Sequence, residues 1–135
     1  MSVAARPIVE PSETTQPFWD AARAHRLDIQ QCTSCAQHVF TPRTTCPHCG
    51  AVELEWVTAS GWGTVYTFTV ARRATDRSLV DRVPYVIAIV ELDEGPRMAT
   101  HVVGCAPDDV TIGMRVAVSF EVVDDVSLPV FRPLS

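Results

Sequence analysis

The sequence predicts a mainly β protein, in which a short N-terminal helix and a small metal-stapled ribbon precede a five-stranded barrel. Two observations lead to this prediction. Four cysteines form two Cys-x-x-Cys pairs separated by ten residues. From Gly61 to the end, five segments carry the apolar patterns of β-strands and are joined mostly by turns. The 135 residues suffice for one ordinary domain or two small ones.

The composition is that of a soluble globular protein, with 47% hydrophobic and 20% charged residues. The longest aliphatic run, residues 86–90, is far too short to span a bilayer. The first residues carry no apolar run typical of a signal peptide, so we expect a cytoplasmic protein without a membrane segment. A net charge of −5 opposes general attraction to nucleic acid but does not exclude a local basic patch.

The N-terminal segment is predicted to be an arm and a helix. Residues 1–16 are polar and contain prolines, which favours a flexible arm. Phe18 and Trp19 begin an apolar stripe that continues at helical spacing through Ala22 and His25. Two large aromatic side chains on so short a helix need a surface to cover them, so we expect them to dock on a neighbouring domain or on a partner.

The four cysteines, Cys32, Cys35, Cys46 and Cys49, are predicted to bind one metal ion. Two Cys-x-x-Cys turns supply the four ligands of a tetrahedral site, which leaves no open position and indicates a structural role. Disulfides are disfavoured because they need an oxidising compartment. A redox Cys-x-x-Cys normally occurs singly near a βαβ unit. Zinc is the expected ion, although iron suits the same ligands.

Three further residues with metal-binding chemistry are assigned structural roles. His38 and His48 lie beside the cysteines, but four thiolates already complete the tetrahedron, so both are expected to be exposed turn residues. Cys105 is distant in sequence from the other cysteines and is expected to be a small buried apolar residue.

The ribbon is predicted to contain three short strands, at residues 27–32, 39–40 and 54–57. So short a segment seldom folds on its own core, because chains below roughly 40 residues usually need a disulfide, a metal or oligomerisation. Metal binding of about 10–16 kcal/mol can supply that stabilisation. We therefore expect residues 17–56 to form a helix and ribbon whose order depends on metal.

The remainder, residues 57–135, is predicted to be the barrel. Its strands are expected at residues 64–70, 84–92, 97–103, 115–123 and 128–131, with one helical turn near residues 107–110. The count and size match a five-stranded OB barrel, while an SH3-like or other small barrel stays open. Tyr66, Phe68 and Val70 are expected on one face of the first of these strands. Val116, Val118, Phe120 and Val122 are expected to face inward from the fourth.

The motifs in this order resemble the DUF35 family of zinc-ribbon and OB-fold proteins associated with acyl-CoA metabolism. The resemblance covers nearly all of the chain beyond residue 16. Ala36 departs from the pattern, since glycine commonly follows the second cysteine. The matching motifs include Gln31-Cys32-x-x-Cys35, Phe40-x-Pro42-Arg43, Cys46-Pro47-x-Cys49, Gly61-x-Gly63-Thr64-Val65-Tyr66, Val90-Glu91-Leu92-Asp93-Glu94-Gly95 and Phe131-Arg132-Pro133.

The resemblance implies a rubredoxin-like zinc ribbon and a function as a non-catalytic accessory subunit. Such proteins look like partners of thiolase-like enzymes, including thiolase-type aldolases of steroid side-chain degradation, in a hetero-oligomer. The barrel would dock on the partner, and the helix and ribbon would help to bind or channel acyl-CoA. The residues expected to contact acyl-CoA or the partner are Phe18, Trp19, Trp62, Arg72, Arg73 and Arg77, with Trp62 and Arg72 near the barrel mouth.

Other interpretations stay open for these residues. The loop arginines are also consistent with a solvated loop in which they pair with Asp76 and Asp81. Trp62 is also consistent with a side chain that fills the barrel mouth. Zinc ribbons and OB barrels also bind single-stranded nucleic acid. An enzyme in its own right would have to use His101 with Asp108 and Asp109 as acid or base candidates.

Overall fold

A computed structural model describes residues 12–73, 83–123 and 125–134. Most of the predicted arm and much of the charged loop, including Arg77, lie outside these described residues. The described elements are the helix α1 (Gln16–Arg23), the strands β1 (Asp28–Cys32), β2 (His38–Val39), β3 (Leu54–Thr58), β4 (Trp62–Ala71), β5 (Tyr85–Leu92) and β6 (Arg97–Val102), a 3₁₀ turn (Pro107–Asp109), β7 (Arg115–Val123) and β8 (Val126–Pro133).

The helix α1 begins where the sequence favours a start. Ser12 and Thr15 exchange hydrogen bonds, with the N–H of Ser12 donating to Thr15 Oγ1 at 2.8 Å and the N–H of Thr15 donating to Ser12 Oγ at 3.1 Å. Proline occupies the first turn, where its missing N–H costs nothing. His25 lies beyond the end of the helix, and its ring stacks on Phe120 with centroids 5.1 Å apart.

The three short strands β2, β1 and β3 form an antiparallel sheet in that order, which we call the cysteine ribbon. The central strand β1 pairs with β3 over its whole length and with the two residues of β2. Both Cys-x-x-Cys turns lie at one end of this sheet, because the first follows β1 and the second lies between β2 and β3. The predicted ribbon is therefore confirmed.

The five strands β4 to β8 close into a barrel in the order β4-β5-β6-β8-β7. Strand β4 pairs with both β5 and β7, and the pairing of β6 with β8 is parallel. A five-stranded Greek-key barrel with this connectivity is the OB-fold. The predicted fold class, a ribbon followed by an OB barrel, is confirmed.

The ribbon and the barrel share one hydrophobic core. Phe18 of α1 and the ribbon residues Leu27 and Ile29 belong to the same cluster of buried side chains as Val65 and Phe131 of the barrel. Phe18 is only 6% exposed, so the docking predicted for it takes place inside this chain. A change that loosens the ribbon therefore also uncovers part of the barrel core.

Two side chains depart from the faces predicted for their strands, and Val122, predicted to face inward, is exposed. The register between β4 and β5 shifts between Val65 and Thr67, so this irregularity turns Tyr66 to the surface, where it is 49% exposed. Val122, near the end of β7, is 61% exposed. Tyr66 is covered by the guanidinium of Arg97, 3.7 Å from its ring centroid. In the part of the chain that the structure describes, no helix has the length and apolarity needed to cross a bilayer.

Candidate metal centre and its flanking clefts

The two Cys-x-x-Cys turns have the same backbone geometry. In the first, the N–H of Ala36 donates to the carbonyl of Cys32 at 2.8 Å. In the second, the N–H of Gly50 donates to the carbonyl of Cys46 at 2.9 Å. Each turn also directs a backbone N–H at its first sulfur, at 3.5 Å for Cys32 and 3.4 Å for Cys46. Such N–H groups stabilise the thiolate form that a metal requires.

The four sulfurs converge on one point. Cys32 Sγ lies 3.6 Å from Cys49 Sγ, Cys35 Sγ lies 3.7 Å from Cys46 Sγ, and all four lie within 4.8 Å of one another. Thiolates about 2.3 Å from a central ion at the corners of a tetrahedron would be about 3.8 Å apart. The observed distances fit that arrangement and are far longer than a disulfide bond of about 2.05 Å. The cluster is a closed metal-binding site with four protein ligands.

Neither neighbouring histidine belongs to this cluster. Among the described residues, the four cysteines are the only group of metal-ligating side chains close enough to hold an ion. His48 is exposed and His38 is half-buried. Cys105 is also half-buried, and its thiol pKa is raised by burial and then by the charge of Asp109.

The pKa values of two thiols in the cluster shift in opposite directions. The N–H of Cys35 lowers the pKa of Cys32 to about 7 and outweighs the opposing effect of burial. The N–H of Gln37 acts to lower the pKa of Cys35, but burial and the neighbouring thiols together raise it to about 12. A divalent cation removes this mutual repulsion, so metal binding and loss of the thiol protons are coupled.

Ala36 adopts a backbone conformation that glycine prefers, with φ of 66°, and Gly50 takes the corresponding place in the second turn with φ of 80°. We expect Ala36→Gly to stabilise the metal-loaded chain by roughly 0.5–1 kcal/mol, since relief of left-handed strain exceeds the entropy cost of glycine. Gly50→Ala is the reciprocal control, because an added Cβ meets nothing within 4 Å and only the backbone penalty remains. Urea midpoints measure both effects, and a less stable Ala36→Gly variant would contradict the expectation.

A buried glutamine on the central strand fixes the segment that leads to the second cysteine turn. Gln30 is 5% exposed, and its side-chain amide makes two hydrogen bonds to the backbone of Arg43. Its Nε2 donates to the carbonyl of Arg43 at 2.8 Å, and its Oε1 accepts from the N–H of Arg43 at 2.7 Å. Arg43 is therefore held by its backbone, which leaves its side chain free to point outward.

Removing this amide is expected to destabilise the ribbon. Gln30→Leu keeps a similar volume but leaves both backbone groups of Arg43 without their partner, at a cost of about 1–3 kcal/mol. Gln31→Leu is the matched control, because the single hydrogen bond of Gln31 to the Ala36 carbonyl is exposed and water can replace it. Chemical denaturation of the two variants should show a clear loss for Gln30→Leu and a small one for Gln31→Leu. Equal losses would show that the paired bonds have no special role.

The predicted contact residues are not brought together. Trp62, 52% exposed, lies at the first residue of β4, whereas Arg72 follows its last residue. The two residues therefore lie at opposite ends of β4, and their shared position at one barrel mouth stays a prediction. Arg72 pairs with Asp108 at 3.7 Å between two highly exposed side chains, and Arg73 is exposed.

Trp19 and the candidate acid and base residues have simpler surroundings. Trp19 is half-buried and meets the edge of the Phe18 ring, with centroids 5.0 Å apart. His101 lies against the ring of Tyr85 at a centroid distance of 4.9 Å. Asp108 and Asp109 lie on the 3₁₀ turn, where Asp108 pairs with Arg72.

Two clefts beside the metal centre were not predicted. The first lies between the cysteine ribbon and the turn from β5 to β6, and the second lies between the start of α1 and the second cysteine turn. Arg43 lines both clefts. The signal in the sequence was the Phe40-x-Pro42-Arg43 motif, but nothing local indicates that a glutamine thirteen residues earlier holds its arginine.

Two protein-family models match consecutive parts of the chain. The rubredoxin-like zinc ribbon domain of ChsH2 matches residues 19–55, and the C-terminal OB-fold domain of ChsH2 matches residues 56–121. Together they cover the cysteine ribbon and most of the barrel. The boundary between the two matched regions falls between residues 55 and 56, inside β3.

Curated relatives include both short and long proteins. A DUF35 domain-containing scaffold protein of Methanothermobacter thermautotrophicus is 34% identical, over 81% of this chain and 82% of that protein. A probable enoyl-CoA hydratase alpha subunit of Thermomonospora curvata is 43% identical, over 86% of this chain and 36% of that protein. A 3-oxo-4,17-pregnadiene-20-carboxyl-CoA hydratase alpha subunit of Mycobacterium tuberculosis is 37% identical, over 90% and 38%. This chain thus spans little more than a third of the two hydratase subunits.

A solved structure matches almost the whole chain. The Ltp2-ChsH2(DUF35) aldolase superposes with a TM-score of 0.83 at 40% identity, over 95% of this chain and 98% of the matched one. At this identity the similarity reflects common descent as well as a shared fold.

Proposed function

Because this chain belongs to the DUF35 family of zinc-ribbon and OB-fold proteins, we propose that it is a non-catalytic accessory subunit that binds acyl-CoA together with a thiolase-like partner enzyme. The observation that carries the proposal is the match over 95% of the chain to the Ltp2-ChsH2(DUF35) aldolase. The reaction class proposed for the partner is that of a thiolase or a thiolase-type aldolase. Steroid side-chain degradation is the proposed setting, supported by the pregnadiene-carboxyl-CoA name of one relative.

The chemistry of the described residues favours an accessory role over a catalytic one. The metal centre has four protein ligands and therefore no position for a substrate or an activated water. The exposed carboxylate of Asp108 pairs with Arg72, and His101 packs on Tyr85. In the proposed function the chain supplies surfaces, and the partner supplies the reacting groups.

Zinc is the ion that we propose for the metal centre. The donor set of four thiolates at tetrahedral distances suits zinc, which has no redox chemistry and holds such sites closed. Its role is to stabilise the ribbon, and through the shared core the placement of α1 against the barrel. Iron in the same ligands would give a coloured protein, so an absorption spectrum and elemental analysis separate the two metals.

The proposed contacts with the partner and with acyl-CoA lie on several parts of the surface. Trp62, exposed at the start of β4, suits an interface because large aromatic side chains dominate binding energies there. Trp19 offers a partly accessible ring beside the ribbon. Arg72 and Arg73, at the far end of β4, suit a second contact, and Arg77 belongs to the same proposal although it lies outside the described residues.

Co-purification tests the partnership. The tagged chain is expressed in its natural host and isolated under native conditions, and the captured proteins are identified by mass spectrometry and their stoichiometry by light scattering. The proposal expects a thiolase-like protein in a defined ratio. A chain that elutes as a monomer with no thiolase-like protein, in cells that express such proteins, contradicts it.

A further inference from the structure

The cleft between the cysteine ribbon and the β5–β6 turn is built from groups that attract an anion. It has a volume of about 230 Å³, and its lining includes Arg43, His38 and His48 from the ribbon and Glu94 from the turn. Ligand sites form preferentially where two structural units meet, since both units then contribute polar groups. Three of these four ionisable side chains can donate hydrogen bonds to an anionic ligand.

Arg43 is presented in a way that suits recognition. Both its backbone N–H and its carbonyl are held by the buried amide of Gln30. No carboxylate in the described part of the chain forms an ion pair with its guanidinium, unlike Arg26, Arg72, Arg97 and Arg115, which all have acidic partners. An arginine held by its backbone, with no ion pair among the described residues, is suited to binding phosphate oxygens in pairs.

The second cleft extends this donor surface on the other side of Arg43. Its lining comprises hydroxyl side chains, Pro42 and Arg43, and it contains no carboxylate. The hydroxyl groups come from the segment before α1 and from the segment before Cys46, namely Ser12, Thr14, Thr15, Thr44 and Thr45. Arg43 is thus the single full positive charge on a polar groove that continues the first cleft.

Glu94 forms the opposite wall of the cleft. Its Oε2 accepts a hydrogen bond from the N–H of Ser60 at 2.8 Å. Its Oε1 is buried, has no hydrogen-bond partner within the described residues, and is out of reach of a ligand in the cleft. The carboxylate therefore favours placement of a phosphate on the ribbon side, beside Arg43 and away from Glu94.

We propose that this cleft binds the phosphate-bearing end of coenzyme A, with the Arg43 guanidinium on a phosphate. This inference deepens the proposed function, since it rests on acyl-CoA being the ligand. It assigns the main anion contact to Arg43 of the ribbon instead of to the predicted loop arginines. The metal centre then has an indirect role, because it fixes the turn that carries His48.

The test uses the full chain loaded with zinc and titrated with coenzyme A, ADP and inorganic phosphate. The lining residues named in this proposal all belong to this chain, so we expect binding without the partner. Coenzyme A and ADP are expected to shift the backbone amide resonances of residues 43–45 and 48. Arg43→Gln is expected to weaken coenzyme A binding at least about tenfold, the usual effect of losing a charge-assisted hydrogen bond.

Arg23→Gln is the matched control, because it makes the same charge change at an exposed position of α1 that lines neither cleft. It should leave affinity within about twofold, as expected of a surface substitution. The melting temperature of Arg43→Gln should be that of the wild type, since Gln30 bonds only to the Arg43 backbone.

The possible outcomes separate this inference from the proposed function. Equal affinity of Arg43→Gln and wild type overturns the inference, and so does the absence of any shift with coenzyme A or ADP at millimolar concentration. Either result leaves a captured thiolase-like partner standing. Binding of a single-stranded oligonucleotide that depends on Arg43, without binding of coenzyme A, overturns the choice of ligand. If no thiolase-like protein co-purifies but coenzyme A binding still depends on Arg43, that result contradicts the proposed partnership alone.

Discussion

Replacing Cys46 by serine is expected to abolish stoichiometric metal binding and to unfold the cysteine ribbon. The variant loses one of four thiolates that lie within 4.8 Å of one another, and a ribbon of about thirty residues has little core of its own. The metal contributes about 10–16 kcal/mol in comparable zinc peptides, more than the total stability of most small domains. Elemental analysis and near-ultraviolet circular dichroism measure the two effects.

The damage is expected to reach beyond the ribbon. Leu27 and Ile29 lie in the same buried cluster as Val65 and Phe131, so an unfolded ribbon exposes barrel side chains to water. Excess chelator should reproduce the loss in the wild type, and added zinc should reverse it. Cys105→Ser is the control, since Cys105 lies outside the cluster, and it should retain metal. A Cys46→Ser variant with one tightly bound metal and unchanged stability would contradict the structural role of the centre.

Phe18→Ala is expected to have the second largest effect, a loss of about 3–5 kcal/mol in the free energy of unfolding. Phe18 is 6% exposed and packs on Phe40, with ring centroids 5.6 Å apart, inside the core shared by the ribbon and the barrel. Its removal leaves a cavity at that junction. Guanidinium or thermal denaturation of the metal-loaded variant measures the loss.

Trp62→Ala provides the contrast to Phe18→Ala. Its ring is 52% exposed, so its removal should change stability by less than about 1 kcal/mol. In a complex with a partner, Trp62→Ala is the variant expected to weaken association with the fold intact. A large stability loss for Trp62→Ala together with a small one for Phe18→Ala would reverse the roles assigned to these two aromatic residues.

The elements that sequence predicts well are those with local rules. Cys-x-x-Cys pairs report a metal site because the chemistry needs four thiolates, and the observed sulfur distances confirm it. Alternating apolar residues, and one continuous apolar run at residues 84–92, place every barrel strand to within a few residues. The number of strands alone does not give the order in which they pair around the barrel. That order follows only if a known barrel type is assumed.

The features that sequence missed depend on contacts between distant residues. The shift in register at Tyr66 is decided by the pairing of β4 with β5, and a period-two pattern cannot show it. Gln30 looks like one of two adjacent polar residues on a strand, yet it is buried because the backbone of Arg43 satisfies its amide. Trp62 and Arg72 lie at opposite ends of β4, which begins two residues before the predicted strand does.

The most direct test of the accessory-subunit account is acyl-CoA turnover by the thiolase-like partner, measured with and without this chain, and by this chain alone. The account predicts no turnover by the isolated chain and a rise in the kcat/KM of the partner when the metal-loaded chain is added. Chain stripped of metal should not give that rise. Turnover by the isolated chain, or a partner whose kcat/KM is the same in its presence and absence, would contradict the account.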